Sequence, residues 1–238
     1  MKQCILIGLL TIVWLILIAN IFCNETDGRW MIEDVEKVAQ LEVARYTSHI
    51  MIVSVSDEDV ALCLYEREDV DKIQENSGWE LVLETNAIIG KNGLGKTKEG
   101  DGKTPIGVFR FVKAFGILEN PGTKVEYIQT ANTHYWIDDC SSKYYNQYIE
   151  VNDVDPDWKS AEHILQYGEA YHYVLATSYN IERIPGKGSA VFLHCIAKDS
   201  EATAGCVAVP EVYMREIMKR VESECVLIID EVENILKY

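Results

Sequence analysis

The sequence predicts a mainly β fold with α elements, an α+β arrangement with a C-terminal helix packed on its sheet. Three observations point there. Short β-branched and aromatic runs alternate with polar turns from residue 49 onward. Two apolar runs, 173–177 and 190–193, read as buried strands. Before a last strand at 225–229, one helical stripe appears: Val212, Met214, Ile217, Met218 and Val221. Pro210 opens that helix, and Glu211 suits its first turn.

From the N-terminus, Lys2 is the only charge before Glu25, and residues 4–22 are almost unbroken apolar. Such a run is an export signal or a membrane anchor, and its length is close to the ~20 residues that span a bilayer. Leu17 before Ala19, and Phe22 before Cys23, suit a cleavage site poorly. An uncleaved anchor is therefore favoured over a cleaved signal, and a buried helix of the folded domain is the third reading. The expected organisation is a signal peptide or membrane anchor at 1–23, a linker or short helix at 24–47, and one folded domain at 48–238. Val35, Val38, Ala39 and Leu41 give the linker its helical pattern. Either export reading puts the domain outside the cytoplasm, in the cell envelope or secreted.

Strands are expected at 49–55, 60–65, 79–83, 87–89 and 106–112. The chain has 22 Lys+Arg against 38 Asp+Glu, a net charge of −16. That balance excludes a general nucleic-acid binder and docking on anionic lipid through a basic face. Seven cysteines include no C-x-x-C pair, so no zinc knuckle is expected. His134, His163 and His172 lack ligand spacing, and neither a metal nor a cofactor is expected.

Residues 90–113 hold six Gly and six basic residues against Glu99 and Asp101, a basic loop in an acidic chain. Such a loop suits an anionic substrate group, or is a solvated hairpin. Gly90 to Thr97 matches the letters of a phosphate-binding loop, but the Gly- and Pro-containing stretch that follows reads as a turn, where that motif needs a helix. Residues 127–150 interleave aromatic and polar side chains, with Tyr135 and Trp136 beside Asp138 and Asp139. They read as a cleft wall for a sugar or peptide, or as a packed surface loop.

The stretch 188–210, GSAVFLHCIAKDSEATAGCVAVP, carries the chemistry. An apolar strand delivers His194; twelve residues later the small-residue turn Thr203-Ala204-Gly205 presents Cys206. Acyl transfer through a thioester needs a thiolate, a base and donors for the oxyanion. Cys206, His194 and the amides of Gly205 and Cys206 would supply them. Alternation along a strand puts Phe192 and His194 on one face, Leu193 and Cys195 on the other. Cys195 is therefore read as a core residue and Cys206 as the nucleophile, with a lowered pKa and ready reaction with iodoacetamide. A Cys195–Cys206 disulfide is the competing reading.

Together, Lys103-Thr104-Pro105-Ile106-Gly107-Val108-Phe109, His194 and Thr203-Ala204-Gly205-Cys206-Val207 resemble the L,D-transpeptidase catalytic domain, the YkuD family. The resemblance spans roughly residues 48–223 and makes 48–238 the catalytic domain. It implies a β-sandwich or mixed sheet, with bacterial peptidoglycan stem peptides as substrate. Cys206 would form an acyl-thioester and pass the acyl group to another stem peptide's amine, making a cross-link; His194 would act as base. Thr203, Tyr135 and Trp136 would contact substrate, while Lys91 and Lys103 would meet its carboxylates. Ala208 stands where the family usually has Arg. An L,D-carboxypeptidase or endopeptidase, or an inactive wall-binding module, are the alternatives.

Overall fold

Seven-residue apolar runs at His49–Val55 and Val60–Glu66, separated by a polar turn, give the chain its first hairpin. In this computed structural model, which describes residues 35–67 and 78–238, every interior position of both strands is buried. Strands buried on both faces read as continuous rather than alternating, and these do. The expected segment at 1–23, and the part of the linker up to residue 34, lie outside the described residues.

In chain order, α1 (Val35–Val38) precedes β1 (His49–Val55), β2 (Val60–Glu66), β3 (Glu80–Asn86), β4 (Gly107–Gly116) and β5 (Tyr127–Gln129). Then come β6 (His134–Trp136), β7 (Tyr148–Glu150), β8 (Glu162–His163), β9 (Val174–Thr177), β10 (Phe192–Cys195), β11 (Val207–Val209), α2 (Glu211–Arg220) and β12 (Val226–Glu231). Among the described residues, nine strands form one mixed sheet in the order β11-β10-β9-β4-β12-β1-β2-β3, with β5 on β4. A smaller sheet runs β7-β6-β8. The fold is mostly β with few helices, as the sequence predicts. Just past β3, Ile88 exchanges both backbone hydrogen bonds with Ala208 of β11. The two ends of the sheet order therefore meet, and the sheet nearly closes on itself.

Three apolar clusters fill the fold. One packs α2 through Met214, Ile217 and Met218 against Met51, Leu62, Leu175, Leu193 and Leu227. Their spacing of three and four residues aligns them on one helix face, and burying each contributes about 1.5–3 kcal/mol. Val212, read into the same stripe, is instead 57% exposed, because it lies off that face. A second cluster joins Val38, Leu41 and Ala44 to Ile50, Ile52 and Ile228. The described part of the linker is thus packed on the sheet. The third is aromatic: Phe115, Trp136, Tyr171 and Phe192, with Cys206 at its margin.

Residues 87–89 form a single bridge rather than a strand, and after Thr97 the chain turns and then enters β4, with no helix. Residues 127–150, expected to be irregular, contain β5, β6 and β7. Among the described residues no helix is long and apolar enough to cross a membrane.

Candidate active site

Strand β10 decides the geometry. Leu193 and Cys195 face the helix-side core, while Phe192 faces the aromatic cluster. Parallel pairing sets Val207 beside Leu193, which brings Cys206 level with Phe192. The Phe192 N–H donates to Cys206 Sγ at 3.3 Å. The sulfur in turn donates to the Ala190 carbonyl at 3.1 Å. Cys195 Sγ points the other way, to the Tyr173 carbonyl at 3.8 Å. Both cysteines are free thiols, as are Cys140 and Cys225.

Cys206 and His194 line one cavity of about 340 Å³, together with Lys96, Glu99, Asp138 and Glu162. Neither reactive group hydrogen-bonds to the other. His194 Nδ1 meets the Cys195 carbonyl at 2.8 Å, so this nitrogen carries the proton and Nε2 is left as the basic one. The Tyr171 ring stands edge-on to the imidazole, with centroids 5.5 Å apart. Burial holds His194 down at about 4, against the pull of the Cys195 and Ala170 carbonyls. Burial pushes the Cys206 thiol up to about 12, with repulsion from Glu162 adding to it and the Phe192 amide and Lys96 opposing it. The expected lowered thiol pKa is therefore corrected. At rest the pair is a neutral thiol and a neutral imidazole, because a dry site penalises both charges.

The turn before Cys206 is fixed by hydroxyls. Thr203 Oγ1 donates to the Cys206 carbonyl at 2.7 Å and accepts the Gly205 N–H at 3.0 Å. The Gly205 amide, expected in an oxyanion hole, is thus engaged. Buried Thr104 donates to the same carbonyl at 3.2 Å and accepts the Gly90 N–H at 2.8 Å. This ties the loop at Gly90 and the Thr-Pro segment to the Cys206 turn. Gly205, at φ +146°, passes so close to the Lys103 carbonyl that a Cβ would sit 2.7 Å from it. Only glycine fits there.

Thr203 lines the cavity; Lys91, Lys103, Tyr135 and Trp136 do not. Tyr135 stacks on His163, and Trp136 packs on Phe192 while donating to Asn146 Oδ1 at 3.0 Å. Lys103 offers its backbone, with its N–H on Asp101 at 3.1 Å, and Lys91 bonds the Thr203 carbonyl through its own N–H at 3.0 Å. The lysine that reaches the cavity is Lys96, paired with Asp101 at 3.0 Å, both side chains buried. Burial alone would raise the Asp101 pKa; hydrogen bonds from the Thr97 and Lys98 amides, Lys96 and the Lys103 amide hold it well below the usual range. Lys96 is the lysine of the phosphate-loop-like letters, a signal that was in the sequence but pointed to a different chemistry. Asp138 stood out only as a polar neighbour of Tyr135 and Trp136 in the aromatic stretch, and Glu99 and Glu162 carried no sequence signal as site residues, since an acid alone is usually a solvated surface residue.

Residues 69–229, well over half of the chain, match the L,D-transpeptidase catalytic domain family. The chain belongs to that family. No curated protein matches it. Among solved structures, the helical cell shape determining protein Pgp2 of Campylobacter jejuni is similar at 16% identity and TM-score 0.43, covering 83% of this chain and 53% of that one. An Enterococcus faecium L,D-transpeptidase is similar at 13% identity and TM-score 0.39, covering 77% and 50%. Mycobacterium tuberculosis L,D-transpeptidase 1 is similar at 13% identity and TM-score 0.35, covering 76% and 61%. The chain spans about half to three fifths of the length of these proteins.

Proposed function

We propose that this protein is a peptidoglycan L,D-transpeptidase that forms cell-wall cross-links through a thioester on Cys206. The supporting observation is the shared cavity: a free thiol and a neutral imidazole face the same space within a fold of that family. The thiol proton, held by the Ala190 carbonyl at rest, passes to His194 Nε2 as the donor peptide enters. The sulfur attacks the peptide carbonyl, the C–N bond breaks, and His194 returns the proton to the departing amine. The Cys195 carbonyl orients the ring and fixes its tautomer throughout. Lys96, whose field already favours the thiolate, stabilises the developing negative charge. The neutral resting pair limits side reactions until substrate displaces water.

The domain at 48–238 carries this activity, and the apolar segment at 1–23 exports it to the envelope, as an anchor or a cleaved signal. Mass spectrometry of muropeptides incubated with the purified protein tests the function. Cross-linked dimer from the wild type and none from Cys206→Ala is the expected result. Released tripeptide without dimer would assign hydrolysis instead, and unchanged muropeptides would refute both.

A further inference from the structure

The cavity beside Cys206 is acidic. Glu99, Asp138 and Glu162 line it, and the one lysine there among the described residues, Lys96, is already paired with Asp101. Glu99 accepts from Tyr145 Oη and from Ser189 Oγ at 2.9 Å. Glu162 accepts from Tyr171 Oη at 2.7 Å. Asp138 Oδ1 is shut from solvent with no hydrogen-bond partner among the described residues. A buried carboxylate oxygen without a donor is costly, and a cation in the adjoining cavity offsets that cost through space.

Resting on the transpeptidase reading, we propose that Asp138 and Glu162 form a subsite for a primary ammonium group of the stem-peptide substrate, presented to the thioester on Cys206. Three ammonium N–H donors suit two carboxylates and leave one for a third acceptor. The anionic walls favour a cation and disfavour a second carboxylate there.

For an acceptor amine, the subsite also handles protons. Glu162 takes the first proton from the ammonium, and the freed lone pair attacks the thioester carbon. The C–S bond then breaks, and the second amine proton reaches the sulfur through His194. The groups that set Glu162's affinity for that proton are Asp138, Glu99, Tyr167, Tyr171 and the Cys206 sulfur. Burial pushes Glu162 up to about 7, against the Tyr171 hydrogen bond and with repulsion from Asp138, so it exchanges protons near neutrality.

The test uses the full-length chain in mild detergent, a donor tetrapeptide, and two competing nucleophiles at pH 7.5. One is a stem peptide with a free side-chain amine; the other is uncharged hydroxylamine. The ratio of cross-linked peptide to hydroxamate cancels any loss of folded protein. Glu162→Gln and Asp138→Asn should each lower that ratio at least tenfold, while the C-terminal acid variant Glu233→Gln leaves it unchanged. A donor with an acetylated side-chain amine separates the sources. If acetylation slows hydroxamate formation tenfold in the wild type but not in the double variant, the subsite stands and holds the donor's ammonium. Unchanged ratios and no acetylation effect, with hydroxamate still formed, overturn the subsite and leave the thioester chemistry intact. No hydroxamate from the wild type overturns the thioester reading and the subsite with it.

Discussion

The thiol of Cys206 is hydrogen-bonded to the Ala190 carbonyl at 3.1 Å rather than to His194. That carbonyl holds the proton on sulfur, and burial of the site keeps the thiolate unfavourable. Ala190 itself sits at φ +52°, a left-handed conformation that a non-glycine residue adopts only when its surroundings impose it. The imposition comes from Asn146, whose Oδ1 accepts the Ala190 N–H at 3.2 Å.

Alkylation separates the cysteines. Iodoacetamide needs thiolate, and Cys206, at about 12, has almost none at pH 7. Exposed Cys140 should be modified at least tenfold faster, read by timed alkylation and peptide mass mapping. Faster labelling of Cys206 would mean that the resting site is ionised.

Cys195→Ala should retain most turnover, because its sulfur lies in the helix-side core, away from the cavity. Removing a small buried group costs roughly 1–2 kcal/mol, measurable by urea unfolding. A dead Cys195→Ala with an active Cys206→Ala would reverse the assignment of the nucleophile.

Asn146 anchors three groups at once: besides the Ala190 N–H it accepts Trp136 Nε1–H at 3.0 Å, and its own amide donates to the Asn180 carbonyl at 2.9 Å. Asn146→Ala strands these partners and should destabilise by about 1–3 kcal/mol. Asn146 has φ +56°, so Asn146→Gly keeps the backbone relaxed and should lose about 1 kcal/mol less than the Ala variant. Equal losses would show that backbone strain is not involved.

Asp101→Ala removes the counter-charge of buried Lys96 and the acceptor of three loop amides. Breaking a buried pair on one side costs about 3–5 kcal/mol. A denaturant midpoint shift worth less than about 1 kcal/mol would show that the pair is solvated.

Stability should depend on pH through two groups of opposite sign. His194 falls from 6.5 to about 4 on folding, so between those values the unfolded chain holds a proton that the folded one lacks. Its contribution is complete above pH 6.5 and is lost as pH falls through 4. Glu162 rises from 4.5 to about 7, so its contribution is complete below pH 4.5 and is lost as pH rises through 7. Each is worth at most about 3 kcal/mol. Glu162→Gln should therefore gain on the wild type between pH 5 and pH 8, and His194→Gln should lose its sensitivity below pH 6.5. Urea midpoints at pH 4.5, 6 and 8 check both; parallel curves for all three proteins would exclude the linkage.

The sequence by itself determined the mainly β class, the strands at 49–55 and 60–65, the helix after Pro210, and the opposite faces of His194 and Cys195. These follow from short-range periodicity, which a strand or helix expresses wherever it packs. It also singled out Cys206 and His194, which the structure sets on one cavity. Tertiary structure decided what surrounds them. The near-closure of the sheet at Ile88 and Ala208, and the tie from Thr104 to the Cys206 carbonyl, carry Lys96 into the cavity while Lys91 and Lys103 stay out. Packing from β8 and the loop at Asp138 adds the carboxylates. Ionisation state depends on burial and on neighbours distant in sequence, so the neutral thiol and the near-neutral Glu162 could only emerge once the chain was folded.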